Sequence, residues 1–355
     1  MSNEESGSGG SASYSTFKEL IEAYRPLIYG KICEYVPMKE PQEHYRIMRD
    51  YIDRQGKYAR PGLLVLVGLM YGAKPNDLIL PAAAQQLSED WILIQDDAED
   101  DSELRRGKPA AQRLYGWVHS VNATNSGHMA MWRMLKDYIL NNDADRGNLL
   151  YDKFYEMLAY TVEGQYIENH FIHDIKDVSK ASDELYFRIA DSKTCFYTVH
   201  GPMQLGAIAA GHGDERTLKI LREIGTEAGI AFQIVDDILD MTADEAKFGK
   251  RRLGDLYEGK LTPMVLHAYR NANPEEKEKM AAIYRKRRLE KTEEEIKFIE
   301  GLVIKYKGLE YARKLADEHG ARATALIEKY RNELPKNQYT DLYINAVQSL
   351  YKRDM

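Results

Sequence analysis

The stretch Gln95–Pro109, QDDAEDDSELRRGKP, holds six acids among the eight residues from Asp96 to Glu103, then stops at Arg105 and Arg106. Like charges at this density repel one another, so the crowding needs a physical reason. On a helix Asp96 and Asp100 stand at i, i+4, and Asp97 and Asp100 at i, i+3. At about 100° per residue the three carboxylates share one arc of the surface. A solvated acidic face would account for one such cluster. A second cluster changes that reading. AFQIVDDILDMTADEAKFGKRRLGD, residues 231–255, repeats the D-D-x-x-D spacing at Asp236, Asp237 and Asp240. Its neighbours are apolar: Ile230, Phe232, Ile234, Val235, Ile238 and Leu239. An acidic triplet in a buried helix must meet cations or suffer a large desolvation cost. Two matching triplets point to cations held between two facing helices.

Carboxylates without His or Cys are hard oxygen ligands suited to magnesium, which usually completes its shell with waters and substrate phosphates. A di-iron carboxylate bundle would carry Glu-x-x-His pairs, and neither cluster has one. The ligand indicated is therefore a diphosphate bridged by metal to both helices. Fixed cations for it stand nearby. Arg105 and Arg106 follow the first cluster, and guanidinium forks suit phosphate oxygens. GKYARPG places Lys57 and Arg60 at i, i+3, DSKTCF supplies Lys193 and Thr194, and Lys250 and Lys260 lie beyond the second cluster.

The rest of the chain narrows the class. Over 355 residues the formal charge is −7, with no long basic block, which speaks against a nucleic-acid partner. The two cysteines, Cys33 and Cys195, lie far apart, which fits a reducing, cytoplasmic compartment and excludes a disulfide scaffold. The longest apolar run, LLVLVGLMYGA, is too short to span a bilayer. Residues 1–13 are Gly/Ser-rich and read as a disordered segment. From Tyr14 the pattern is helical almost throughout, as in TFKELIEAYRPLIYGKICEYV and NLLYDKFYEMLAYTVEGQYI. KFIEGLVIKYKGLEYARKLADEHGARATALIEKY reads as one long helical stretch, with Thr292 and Glu295 as a capping box ahead of it. No alternating run between hairpin turns stands out. KRRLEK, residues 286–291, reads as a solvated face. The sequence thus predicts an all-α chain, with one domain over 14–355.

DDAEDDSELRRGKP and FQIVDDILD...GK...GDLYEGKLTP resemble the two aspartate-rich motifs of the trans-isoprenyl diphosphate synthases. GKYARP, the Lys193–Thr194 pair and Gly164–Gln165 match that family in type and order. The flavour, with EDWILIQDDAEDD, is most similar to archaeal short-chain members such as geranylgeranyl and farnesyl diphosphate synthases. The resemblance implies the isoprenoid synthase fold, a large helical bundle around a deep central cavity. It implies three Mg2+ ions per active site, with Mn2+ a possible substitute. Asp96, Asp97 and Asp100 would bind magnesium on the allylic diphosphate; Asp236 would hold a further ion, assisted by Asp237 and Asp240. Arg105, Lys193, Gln233, Lys250 and Lys260 would contact the allylic diphosphate. Lys57, Arg60 and Arg106 would clamp isopentenyl diphosphate, with Thr194 and Phe232 near its reacting end. Glu89 stands at an isopentenyl diphosphate position where the family commonly has His or Gln. Ser88, Trp91 and Ile92 form one helix face below Asp96, and Trp91 would limit the product to fifteen or twenty carbons.

The implied reaction is a magnesium-dependent condensation of isopentenyl diphosphate with an allylic diphosphate, by ionisation, attack and proton loss. Geranylgeranyl diphosphate is the favoured product and farnesyl diphosphate the alternative. A homodimer is implied, with no nucleic acid and no membrane span. A terpene cyclase would show an Asn/Ser/Glu-type second motif and lack the second diphosphate clamp. A non-catalytic partner subunit would tend to lose one aspartate cluster, and both are present.

Overall fold

The computed structural model describes residues 13–242 and 252–352. The expected disordered segment, apart from Ser13, and the expected phosphate contact Lys250 lie outside the described residues.

The all-α expectation holds among the described residues. The first helices are α1 (Phe17–Tyr35), α2 (Gln42–Arg54), α3 (Ala59–Met70) and α4 (Pro75–Glu99). Local chemistry sets their ends: Thr16 caps α1 by accepting from the Glu19 backbone, and Pro75 opens α4. Every residue of α3 from Pro61 to Met70 is buried. A helix apolar on all sides belongs at the centre of a bundle, and α3 packs against α1, α4 and α9 (Gly201–Ala209). Long helices α6 (Trp117–Leu140) and α7 (Ala144–His170) follow the short α5 (Ala111–Tyr115). After α8 (Asp183–Ile189) the chain widens into a π-helical run, Ala190–His200, that leads into α9.

Helix α10 (Glu215–Thr242) ties the halves together. Ile220, Leu221, Ile224 and Ala228 join the apolar cluster around α3, while Ile234, Val235, Ile238 and Met241 join a second cluster. That second cluster is completed by α11 (Gly254–Glu258), α12 (Pro263–Asn271), α13 (Pro274–Tyr284), α14 (Glu293–Lys305) and α15 (Gly308–Tyr330). Helix α16 (Gln338–Tyr351) returns to pack on α3 and α10. The Thr292–Glu295 capping box forms as expected.

Two local expectations are corrected. The stretch 297–330 is not one helix. It breaks at Lys307, which takes a left-handed φ of 58°, as residues closing a helix often do. The chain also contains a two-residue ribbon, β1 (Leu104–Arg105) against β2 (Lys108–Pro109), antiparallel with Arg105 opposite Lys108. Its turn residues, Arg106 (φ 54°) and Gly107 (φ 73°), are both left-handed, as a tight hairpin turn requires. A strand of two residues leaves no alternation to read.

Close approach of helices places the future site. A Cβ on Gly164 would come within 2.2 Å of Ser192 Oγ and 2.9 Å of the Lys193 backbone nitrogen. Glycine there lets α7 touch the π-helical run at the residue that bears Lys193. No helix among the described residues is long and apolar enough to cross a membrane.

Candidate active site

The acids of the two clusters sit at the C-terminal ends of α4 and α10. Asp97 is fully buried and turns away from its neighbours. It accepts from Tyr51 Oη (2.6 Å), Arg105 Nε (2.8 Å) and Arg105 Nη2 (2.5 Å). The carboxylate thus fixes the guanidinium of Arg105 in a bidentate grip, the stronger form of such a pair. Asp96 and Asp100 face elsewhere. Asp96 Oδ1 accepts from Lys193 Nζ and from Gln165 Nε2, each at 3.3 Å, and Arg105 Nη2 lies 3.6 Å from its other oxygen. Asp100, which closes α4, lies 3.3 Å from Lys260 Nζ.

Two acids beyond the second cluster meet the same ammonium, and a backbone bond ties them to that cluster. Lys260 Nζ is 3.6 Å from Asp255 and 2.6 Å from Glu258, and the Asp255 backbone donates to Asp240 Oδ2 at 3.1 Å. Asp237 accepts from Tyr186 Oη (2.9 Å) and Gln233 Nε2 (2.7 Å), while Gln233 Oε1 accepts from Thr194 (2.7 Å). Asp236 is half-buried beside it, and Phe232 packs against the apolar cluster around α3. Among the described residues no three metal-binding side chains converge on one point, because these acids are shared out among cations and hydroxyls.

The electrostatics record the crowding. Burial pushes the Asp100 carboxyl up to about 7, with Lys260 opposing and Glu258 and Asp96 adding to the rise. Burial raises Asp237 to about 8, against the hydrogen bonds from Gln233 and Tyr186. Burial alone would lower Lys193 and Lys260. Glu168 and Asp96 overcome it at Lys193, and Asp100, Glu258 and Asp255 overcome it at Lys260, so both stay charged.

A second patch lies two turns earlier on α4. Arg60 Nη1 is 3.1 Å from Glu89 Oε1 and its guanidinium lies over the Tyr197 ring at 4.9 Å. Arg106 donates to the Tyr51 carbonyl (2.7 Å) and to Asp90 Oδ1 (3.1 Å), with Glu89 Oε1 at 3.8 Å. The left-handed turn begins at Arg106, directly after the strand residue Arg105, so the ribbon sends Arg105 to one patch and Arg106 to the other. Lys57 is exposed and lines a surface groove with Arg25 and Leu342. On the intended chain-length face, Ser88 pairs with Tyr197 Oη at 2.9 Å, and buried Trp91 packs on the His128 ring at 4.8 Å. Ile92, half-buried, packs against the same core.

Comparison with known proteins agrees with this arrangement. Residues 41–303 match the family model described as polyprenyl synthetase. The chain belongs to the polyprenyl synthetase family. It is 31% identical to the geranylgeranyl diphosphate synthase of Methanosarcina mazei, over 67% of this chain and 71% of that one. It is 28% identical to the short chain isoprenyl diphosphate synthase of Methanothermobacter thermautotrophicus, covering 87% of this chain and 91% of that one. The crystal structure of geranylgeranyl pyrophosphate synthetase from Pyrococcus horikoshii superposes with a TM-score of 0.81 at 27% identity, over 95% of this chain and 99% of that one. The polyprenyl synthetase chain is an enzyme, a trans-prenyltransferase.

Several residues of this synthetase site escaped the sequence reading. Tyr51 and Tyr186 each anchor one buried aspartate, and Asp255 and Glu258 extend the second cluster. A lone tyrosine carries no signal in sequence, whereas GDLYEGK does carry two acids beside Lys260. The solvated face expected at 286–291 is half wrong. Arg288 pairs with Glu258, and buried Lys291 donates to the carbonyls of Leu256 (3.0 Å) and Tyr257 (2.7 Å). The segment therefore holds α11 and its acids in place.

Burial pushes Asp90 from 3.8 up to about 7, against Arg106 and with help from Glu89. A carboxyl raised by folding opposes folding once ionised. That cost is absent below the unfolded value, grows as pH rises from the unfolded value to the folded one, and is constant above it. Asp90→Asn should therefore raise the unfolding free energy by roughly 1–3 kcal/mol near pH 8 and by much less near pH 4. Urea denaturation at the two pH values measures it, and an equal effect at both would contradict the assignment.

Proposed function

We propose that this prenyltransferase condenses isopentenyl diphosphate with an allylic diphosphate, and that its product is geranylgeranyl diphosphate. The observation that supports this most directly is the run of contacts that joins the two acid clusters: Asp96 pairs with Lys193, Asp100 with Lys260, Lys260 lies 3.6 Å from Asp255, and the Asp255 backbone donates to Asp240. A site built this way can carry both signs of charge at once, as a metal-bridged polyphosphate demands.

The donor set fits a hard divalent ion. It is all carboxylate, with no His or Cys among the clusters. Magnesium, held by Asp96, Asp100, Asp236 and Asp240 with Asp97 and Asp237 behind them, would supply charge that stabilises the departing diphosphate. The chain's own groups do the rest. Lys193, Arg105 and Lys260 present fixed positive charge to the allylic diphosphate, so little reorganisation is needed as negative charge develops on it. Arg105 is preorganised by its bidentate bond to Asp97. Gln233, oriented by Thr194 and Asp237, lies on the same side of α10. Arg60 and Arg106 hold isopentenyl diphosphate close to the primer, which contributes through proximity. The apolar surroundings keep water from the allylic cation. The departing diphosphate takes the final proton, so no side-chain base is assigned.

Three coarser features of the reading have separate support. Residues 14–355 act as one domain, since α10 lends side chains to both apolar clusters. Free Cys33 and Cys195 fit a reducing, cytoplasmic setting. The chain forms a homodimer through α6 and α7, which expose Val118, Met129, Leu140, Tyr155, Val162 and Tyr166.

Incubation with Mg2+, labelled isopentenyl diphosphate and primers of five, ten or fifteen carbons should give elongated diphosphates. Asp96→Ala and Asp236→Ala should each lower turnover by roughly 100-fold or more, the scale of losing a charge-stabilising group. A near-normal rate in either variant removes that residue from the metal site. Trp91→Ala should shift the product toward longer chains; an unchanged distribution on product chromatography removes Trp91 from length control. Light scattering should give twice the mass of one chain, and a one-chain mass contradicts the dimer.

A further inference from the structure

We infer that Glu89 is a built-in competitor for the homoallylic substrate: its carboxylate occupies the arginine pair that grips isopentenyl diphosphate and so sets the affinity for it. The inference rests on the reading of Arg60 and Arg106 as that clamp.

One oxygen of Glu89 sits between both guanidiniums, 3.1 Å from Arg60 Nη1 and 3.8 Å from Arg106 Nη2. That is where an anionic ligand oxygen would bind a pair of arginine forks. The charge of the patch is already partly spent. With both acids ionised, Glu89 and Asp90 cancel the two positive charges of Arg60 and Arg106; with Asp90 protonated, Glu89 still cancels one of the two. In either state an incoming diphosphate meets a weakened attraction there until Glu89 gives way.

Glu89 is the one that can give way. The Asp90 side chain is 1% exposed and bonded both to Gln86 and to Arg106. The Glu89 side chain is 10% exposed, its bonds run through one oxygen, and among the described residues the buried Oε2 has no partner. Two more buried polar atoms of the patch, Arg60 Nε and Tyr58 Oη, also lack a partner among the described residues. Buried polar atoms normally find partners, so three orphans in one patch mark a place shaped for something other than this carboxylate.

The arginines do not need Glu89 to stay in place. Arg60 rests on the Tyr197 ring, and Tyr197 is fixed by Ser88; Arg106 is held by the Tyr51 carbonyl and Asp90. Removing the Glu89 charge therefore frees two oriented guanidiniums and leaves the patch more positive by one charge.

Steady-state kinetics with each substrate varied in turn tests this. Glu89→Gln, which keeps the shape and removes the charge, should lower the KM for isopentenyl diphosphate about tenfold, one well-placed charge contact, and shift the allylic KM less than about twofold. Glu89→Ser should move the same way, and serves if the glutamine variant folds poorly. Glu89→Asp, which keeps the charge, should stay within about threefold of the parent. An isopentenyl diphosphate KM in Glu89→Gln and Glu89→Ser equal to or above that of the parent overturns the inference. Arg60→Gln, run in parallel, separates the two levels. A raised KM for isopentenyl diphosphate upholds the clamp whatever Glu89 does; an unchanged one overturns the clamp and the inference with it.

Discussion

Two ammonium groups, each held among carboxylates from separate elements, are the constraint on which the rest of this synthetase depends. Lys193 and Lys260 each stand among carboxylates contributed by different parts of the chain. Burying that much charge is costly, and leaving one partner unpaired costs about 3–5 kcal/mol. The fold therefore has to deliver every partner at once. Helix α4 brings Asp96 and Asp100, α7 brings Glu168 and Gln165, the π-helical run brings Lys193, and the segment after α10 brings Asp255, Glu258 and Lys260. Glycine at position 164 lets α7 and the π-helical run meet closely enough for this. A wider helical turn beside a functional lysine is a common use of π geometry.

The same economy governs the arginines. A two-residue ribbon with a left-handed turn aims Arg105 at the acid clusters and Arg106 at the patch around Glu89 and Asp90. One short element thereby links the two patches. Tyr51 strengthens the link: its hydroxyl bonds Asp97 and its carbonyl bonds Arg106. Behind the second cluster, Arg288 and Lys291 brace α11 from a segment more than thirty residues further on.

Much of this was legible in the sequence, and for physical reasons. The apolar period of α1, α4, α7 and α10 reads directly as helix, and the Thr292–Glu295 box marks a helix start. The repeated D-D-x-x-D spacing signals paired acids because helical geometry is local. The break at Lys307 was not legible, since the apolar period continues across it; in the fold, Gly308 lies so close to Met264 that an added Cβ would come within 2.7 Å of the Met264 carbonyl oxygen. The ribbon was too short to alternate. KRRLEK looked like a solvated face because charge alone does not tell a buried brace from a surface run.

The sequence by itself determined the residue types, the helices and the spacing of acids along each, because these depend on neighbours three or four positions away. Only the tertiary structure decided which acid meets which cation. Asp96 and Asp97 are adjacent in the chain, yet one faces Lys193 and the other locks Arg105 beneath Tyr51. Partners in these pairs lie up to 160 positions apart, as Asp100 and Lys260 do. No local rule couples them; the packing of the helices that carry them does.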